Sequence, residues 1–270
     1  MGPGLELVPM TSTSSAESVE IVLMLGRDCT DYGGDQSGRL GRTAACLSAG
    51  CKGCEDEPQS NEDALLLMQQ GDRYLLAVAD GHYGLEVSHQ ILQRLSKHPI
   101  PASGAALRAI LTEIQNPPIR SGGGTTLTVG CLHAETLLGF GLSTGDSTLA
   151  VVDNEGIKIC TSPNHRYLYP NRPLEAHEWC AFNFTVPSRG TVLLYTDGVN
   201  ECHYRQPETS VQDEDIDRLW LAYGDDATCF ASALVYLALK GVRGNPGGQD
   251  NIAVVVFNDR PPVASLEQAR

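Results

Sequence analysis

The sequence predicts an α+β protein in which helices cover the faces of antiparallel sheets. Strand-like apolar runs and helix-period segments come in separate blocks rather than in alternation, which favours helices packed on antiparallel sheets. The breaks between the central runs (His133-Ala134-Glu135, Gly145-Asp146 and Asn154-Glu155-Gly156) are too short for a parallel crossover, so they imply antiparallel neighbours. With 270 residues, 41% of them hydrophobic, the chain can build the core of one large domain.

Residues 1–18 are polar and rich in Gly, Pro, Ser and Thr, and are expected to form a disordered arm. They lack the basic start and apolar core of a signal peptide. Val19 to Leu25 is a first strand. Gly26 to Asn61 is polar and rich in Gly and Cys, and is expected to be an insertion in the domain, either ordered or a loop. ALLLM (64–68) and YLLAVA (74–79), separated by Gln69 to Arg73, predict a buried hairpin. Gly84 to Leu95 predicts a helix with Val87, Ile91, Leu92 and Leu95 on one side. Ala102 to Ile114 predicts a second, stopped by Asn116-Pro117-Pro118. Short strands follow at Thr125–Cys131, Thr136–Leu142, Ser147–Val152 and Ile157–Cys160. Residues 161–180 have no clear period and are expected to be loop. Strands resume at Ala181–Val186 and Thr191–Tyr195, helices at Asp213–Tyr223 and Thr228–Lys240, and a last strand at Ile252–Phe257. The expected domain spans 19–258, with a tail at 259–270.

The formal charge of −14 argues against nucleic acid and anionic membrane as partners. No apolar stretch is long enough to span a bilayer. Nine cysteines, an odd count without a secretion signal, fit reduced thiols in a cytoplasm better than a disulfide framework. Cys51 and Cys54 form one CxxC, half of a zinc knuckle. A second pair is missing, so free thiols are preferred to zinc.

Chemistry concentrates in aspartates at the ends of apolar runs. Asp80 closes YLLAVAD, Asp197 closes VLLYTD, and Asp250 precedes the run Ile252 to Phe257. Asp146 sits at a Gly-Asp-Ser turn, and Glu62-Asp63 precedes a strand. Strand ends are rigid anchors, and carboxylates gathered on them would be hard oxygen ligands for magnesium or manganese. Taken singly, Asp-Gly is foremost a turn dipeptide.

Taken in order, NEDALLL, AVADGHYG, GGGTTLTVG, STGDST, LLYTDGVNE and GGQDNIAVVV resemble the metal-dependent serine/threonine protein phosphatases, the PPM or type 2C family. The resemblance covers roughly residues 19 to 258 and implies a four-layer α-β-β-α sandwich of two antiparallel sheets flanked by helices. It implies two magnesium or manganese ions bridged by Asp80, with the Gly81 carbonyl on one ion and Asp197 and Asp250 on the other. Asp146 and Glu201 would form a third, weaker site, although the family more often has Asp where Glu201 stands. Glu62, Asp63, Thr126 and Asn251 would support water around the metals. His82 is implied as the general acid that protonates the leaving alkoxide. The reaction implied is in-line attack on phosphorus by water activated between the ions. The implied partners are a phosphorylated protein and a cognate serine/threonine kinase.

Two departures stand out. The family carries a phosphate-clamping arginine four residues before the glutamate of the acidic pair, where this chain has Pro58. Arg27, Arg39 and Arg42 are the candidates to replace it, since a guanidinium can meet phosphate from various backbone positions. The long flap of larger members is absent between Cys160 and Asp197, which implies a shallow, open site. Besides a protein phosphatase, a non-catalytic binding module on the same fold and a phosphatase of a small phosphate ester are therefore consistent with the sequence.

Overall fold

The central strands are buried on both faces, which is why they read as continuous apolar runs rather than alternations. The computed structural model describes residues 18–51, 61–116, 118–119 and 123–259. One six-stranded sheet has the order β1 (Glu20–Leu25), β4 (Ala64–Gln70), β5 (Arg73–Ala79), β8 (Leu127–His133), β9 (Leu138–Thr144), β12 (Cys180–Thr185). The other has the order β11 (Gly156–Ile159), β10 (Thr148–Asp153), β13 (Thr191–Tyr195), β14 (Ile252–Asn258), β3 (Thr43–Ser48), β2 (Asp35–Leu40). All strand pairs within both sheets are antiparallel.

Alternation along each strand sorts the core into three seams. Leu66, Met68, Ala77 and Ala79 face outward onto α1 (Glu86–Leu95) and α2 (Gly104–Ile114), meeting Ile91, Leu92, Leu107 and Leu111. Their neighbours Leu65, Leu67, Leu76 and Val78 face the second sheet, meeting Val192, Leu194, Val255 and Phe257. Leu193, Tyr195, Val254 and Val256 face α3 (Asp213–Tyr223) and α4 (Ala227–Lys240), against Trp220, Phe230 and Leu234. The result is the four-layer α-β-β-α sandwich. Burying each large side chain contributes about 1.5–3 kcal/mol, so the seams set the strand register: a one-residue slip would exchange seam for seam.

The structure corrects the sequence reading at two places. Within 26–61, residues 35–48 are a hairpin integral to the second sheet rather than an insertion. β3 lies between β14 and β2 with every residue buried. Its sequence TAACLS is built from small residues, which fit under α4 but carry little strand signal. The second correction concerns Gly145-Asp146. β9 and β10 are not neighbours; the chain leaves one sheet there and enters the other. Gly145, at φ +92°, makes that transfer, and a side chain there would strike Thr126.

α1 carries His89, buried against the first sheet. Burial, reinforced by the positive charge of Arg27, lowers its pKa from 6.5 to about 4. The unfolded chain therefore binds the proton that the folded chain refuses, and stability falls as pH drops through that window. The slope from this group reaches about 1.4 kcal/mol per pH unit. Urea midpoints measured between pH 7 and 4.5 should drop more for wild type than for His89→Gln; equal drops would contradict the assignment.

Candidate metal centre

The strand ends of the two sheets meet at one edge of the sandwich. Asp80 follows β5, Asp197 follows β13 by one residue, and Asp146 sits in the sheet-switching bend. One carboxylate oxygen from each of these three lies within 4.8 Å of the others. Asp80 is only 1% exposed.

Polar pins from neighbouring strands hold this arrangement. The Asp80 N–H donates to Thr126 Oγ1 at 3.1 Å, and its carbonyl accepts from the Thr126 N–H at 2.9 Å and the Thr125 hydroxyl at 2.8 Å. Thr126 Oγ1 is also 2.9 Å from Ser147 Oγ, beside Asp146. One threonine thus ties two of the three carboxylate positions together. Thr196 does the same for the third: its hydroxyl donates to Asp63 Oδ2 at 2.8 Å and accepts from the Ala253 N–H at 3.0 Å. A Cβ on Gly198 would come within 1.8 Å of the Asn251 carbonyl, so only glycine lets the Asp197 and Asp250 loops close on each other.

Asp250 lies outside the close group, where the sequence placed it as a ligand beside Asp197. Its Oδ1 is turned back onto the Asn251 N–H at 2.7 Å. Its charge reaches Glu201, whose pKa is raised by burial first and then by Asp146 and Asp250. The Glu201 N–H bonds the Asp197 carbonyl. Glu62 Oε1 accepts from the Gly84 N–H at 2.6 Å, which aims it at the loop carrying Gly81 and His82. Asp63 and Asn251 are both buried. His82 Nε2 stands 3.4 Å from Asp80 Oδ2.

The three candidate arginines separate. Arg27 follows Gly26, whose N–H bonds the Asp63 carbonyl at 2.9 Å, so it stands beside the acidic pair. Arg42 lies in the β2–β3 turn at the opposite end of the sheet, paired with Asp259 at 3.4 Å. Arg39 faces Ala44, near that same far end, four residues before the β3 terminus at the site. Strand rise puts it more than about 10 Å from the centre. Cys54 and Pro58 lie outside the described residues; of the described cysteines, including Cys51, none is in a disulfide.

Sequence reasoning missed Thr125, Ser147 and Thr196, whose hydroxyls pin the loops, and Tyr167. The Tyr167 ring packs on His82 with centroids 4.6 Å apart. Its pKa is raised by burial, then by the charges of Asp146, Asp197 and Asp80. The alternation Tyr167-Leu168-Tyr169 was the available signal. Residues 161–172 run against the site, where Leu168 pairs with Thr125.

The residues fit divalent cations. The donors are all carboxylate oxygen, the set preferred by magnesium and manganese. Asp146 Oδ1 is buried with no hydrogen-bond partner, a costly position that a cation would relieve. No described helix is long and apolar enough to cross a membrane.

No protein-family model matches the chain, and no curated protein matches it in sequence. Solved structures match it in fold. A bacterial serine phosphatase superposes with a TM-score of 0.66 at 19% identity, covering 83% of this chain and 100% of that one. The Mycobacterium tuberculosis serine/threonine phosphatase PstP gives 0.59 at 23% identity, covering 81% and 99%; its catalytic domain has also been solved with two manganese ions. The PPM serine/threonine phosphatase MsPP from Mycobacterium smegmatis, in complex with cacodylate, gives 0.61 at 18% identity, covering 80% and 97%. The structural neighbours are thus bacterial PPM-type serine/threonine phosphatases, and this chain has their fold.

Three crowded carboxylates repel one another without a cation. Asp146→Asn should therefore raise the melting temperature of metal-free protein, by about 2–4 °C if it relieves about 1 kcal/mol. Manganese at about a hundredfold over its Kd should stabilise wild type by about 2.7 kcal/mol and the variant by much less. Thermal denaturation with and without manganese checks both; an equal gain in the variant would remove Asp146 from the site.

Proposed function

We propose that this chain, folded as the bacterial serine/threonine phosphatases are, is a metal-dependent phosphatase acting on phosphoserine and phosphothreonine in proteins. The observation that carries this reading is the convergence of Asp80, Asp146 and Asp197 within 4.8 Å at the edge of the sandwich. Asp80, Asp146, Asp197, Asp250 and the Gly81 carbonyl would hold two divalent ions, and Asp146 with Glu201 would hold a third. When bound, such ions supply acidity to water and countercharge to the phosphoryl oxygens.

The chain's own residues do the rest. Glu62, held by the Gly84 N–H, and Asp63, held by Thr196, orient water at the rim of the centre. Arg27, beside the acidic pair, binds the phosphoryl group in the role that Pro58 cannot fill. His82 donates its Nε2 proton to the leaving serine or threonine oxygen, a step worth about 10²–10⁴-fold in rate. A serine/threonine kinase would supply the substrate. The backbone pins at every carboxylate favour a working centre over a non-catalytic module.

The full chain should hydrolyse a phosphothreonine peptide with manganese and not with a chelator; absence of metal-dependent turnover would overturn the enzyme reading. Arg27→Ala should raise KM about tenfold or more, the loss of a charged hydrogen bond of roughly 1.5–3 kcal/mol. Arg42→Ala, at the far end of the sheet, should leave KM unchanged. Steady-state kinetics on the peptide distinguishes Arg27 from a solvated surface charge.

A further inference from the structure

Residues 164–172 form a strap fastened at several points. The Asn164 N–H bonds the Gly145 carbonyl at 2.8 Å, and Asn164 Oδ1 accepts from the Gly145 N–H at 2.9 Å. The Thr144 hydroxyl bonds the Arg166 carbonyl at 2.9 Å. Further on, Leu168 exchanges both backbone hydrogen bonds with Thr125, at 2.8 and 2.9 Å. Arg172 and Arg166 share the buried Glu178 at 2.6 and 3.5 Å. The Asn164 fastening is to the bend that carries Asp146, and a second backbone fastening, at Leu168, is to the strand next to the one carrying His82.

That second fastening sets the side chains. β6 (Gly81–His82) pairs with β7 (Gly124–Thr125), with His82 opposite Gly124. β7 in turn bridges to Leu168, so three short segments lie side by side. Leu168 turns into the helix-side core, only 2% exposed. By the two-residue period, Tyr167 and Tyr169 turn the other way. Gly124 has no side chain to stand between His82 and the strap. The Tyr167 ring stands edge-on to the imidazole, at 4.6 Å and 74°. The Tyr169 ring covers Gly124 itself, where a Cβ would fall 2.9 Å from its Cε1, and backs Tyr167 at 6.3 Å.

We propose that Tyr167 is a positioning residue for His82: the strap holds its ring against the imidazole and so fixes the direction in which the proton is delivered. The inference rests on His82 as the proton donor to the leaving oxygen. It is the ring that matters, so phenylalanine should serve where alanine does not. A proton donor counts most when the leaving group is a poor one, as serine and threonine alkoxides are, and little for p-nitrophenolate.

Kinetics on the full chain with manganese tests this. Tyr167→Ala should lower kcat on a phosphothreonine peptide by about tenfold or more, within the range for a displaced general acid, with a clearly smaller loss on p-nitrophenyl phosphate. Tyr167→Phe should restore most of the peptide kcat. Adding Tyr167→Ala to His82→Ala should lower it no further, as expected for residues acting as a unit. In metal-free protein, the His82 ring-proton resonances should shift on Tyr167→Ala and return near their wild-type positions in Tyr167→Phe. Equal losses on both substrates, additive losses in the double variant, or unmoved His82 resonances would overturn the proposal while leaving His82 as proton donor. If His82→Ala itself spares the peptide reaction, the proton-donor reading falls and this inference falls with it.

Discussion

Asp80, Asp146 and Asp197 repel one another, yet strands of two different sheets hold them within 4.8 Å. No residue of the same charge class would gather there by itself, so the arrangement depends on what surrounds it. Hydrophobic burial fixes the strand register, and the register fixes where each strand ends. Short hydrogen bonds from Thr126, Ser147 and Thr196 then carry that placement across the gap between sheets. The sandwich works as a frame that keeps like charges close and leaves Asp146 Oδ1 without a hydrogen-bond partner. A divalent cation is the counterpart that such a frame is shaped to receive.

The parts of this structure with strong local chemistry could be read from the sequence. Long runs such as ALLLM and YLLAVA bury both faces and announce themselves without context. The carboxylates could be read because each closes such a run or sits in a turn. What escaped was determined by tertiary contacts. β3 is TAACLS, weak in any propensity scale, and becomes a central strand only because β14 pairs with it and α4 packs above it. The switch of sheets at Gly145-Asp146 escaped because a two-residue break looks like a hairpin turn.

The strap shows how the site can differ while the fold stays the same. The neighbours described above keep the sandwich at 18–23% identity, because many sequences satisfy the same three apolar seams. The loops at the metal edge carry no such burden and can change. Here one such loop brings an aromatic ring to His82. The Gly26 N–H bond to the Asp63 carbonyl keeps the Arg27 backbone beside the acidic pair, which is why we propose Arg27 for the phosphoryl group.

The central claim is that the strand-end carboxylates are a metal centre. Crystals of the full chain grown with manganese, with diffraction recorded at the manganese absorption edge, test it directly. The account predicts anomalous peaks between the carboxylates of Asp80, Asp146 and Asp197. A well-ordered structure at millimolar manganese with no peak among these three residues would contradict it.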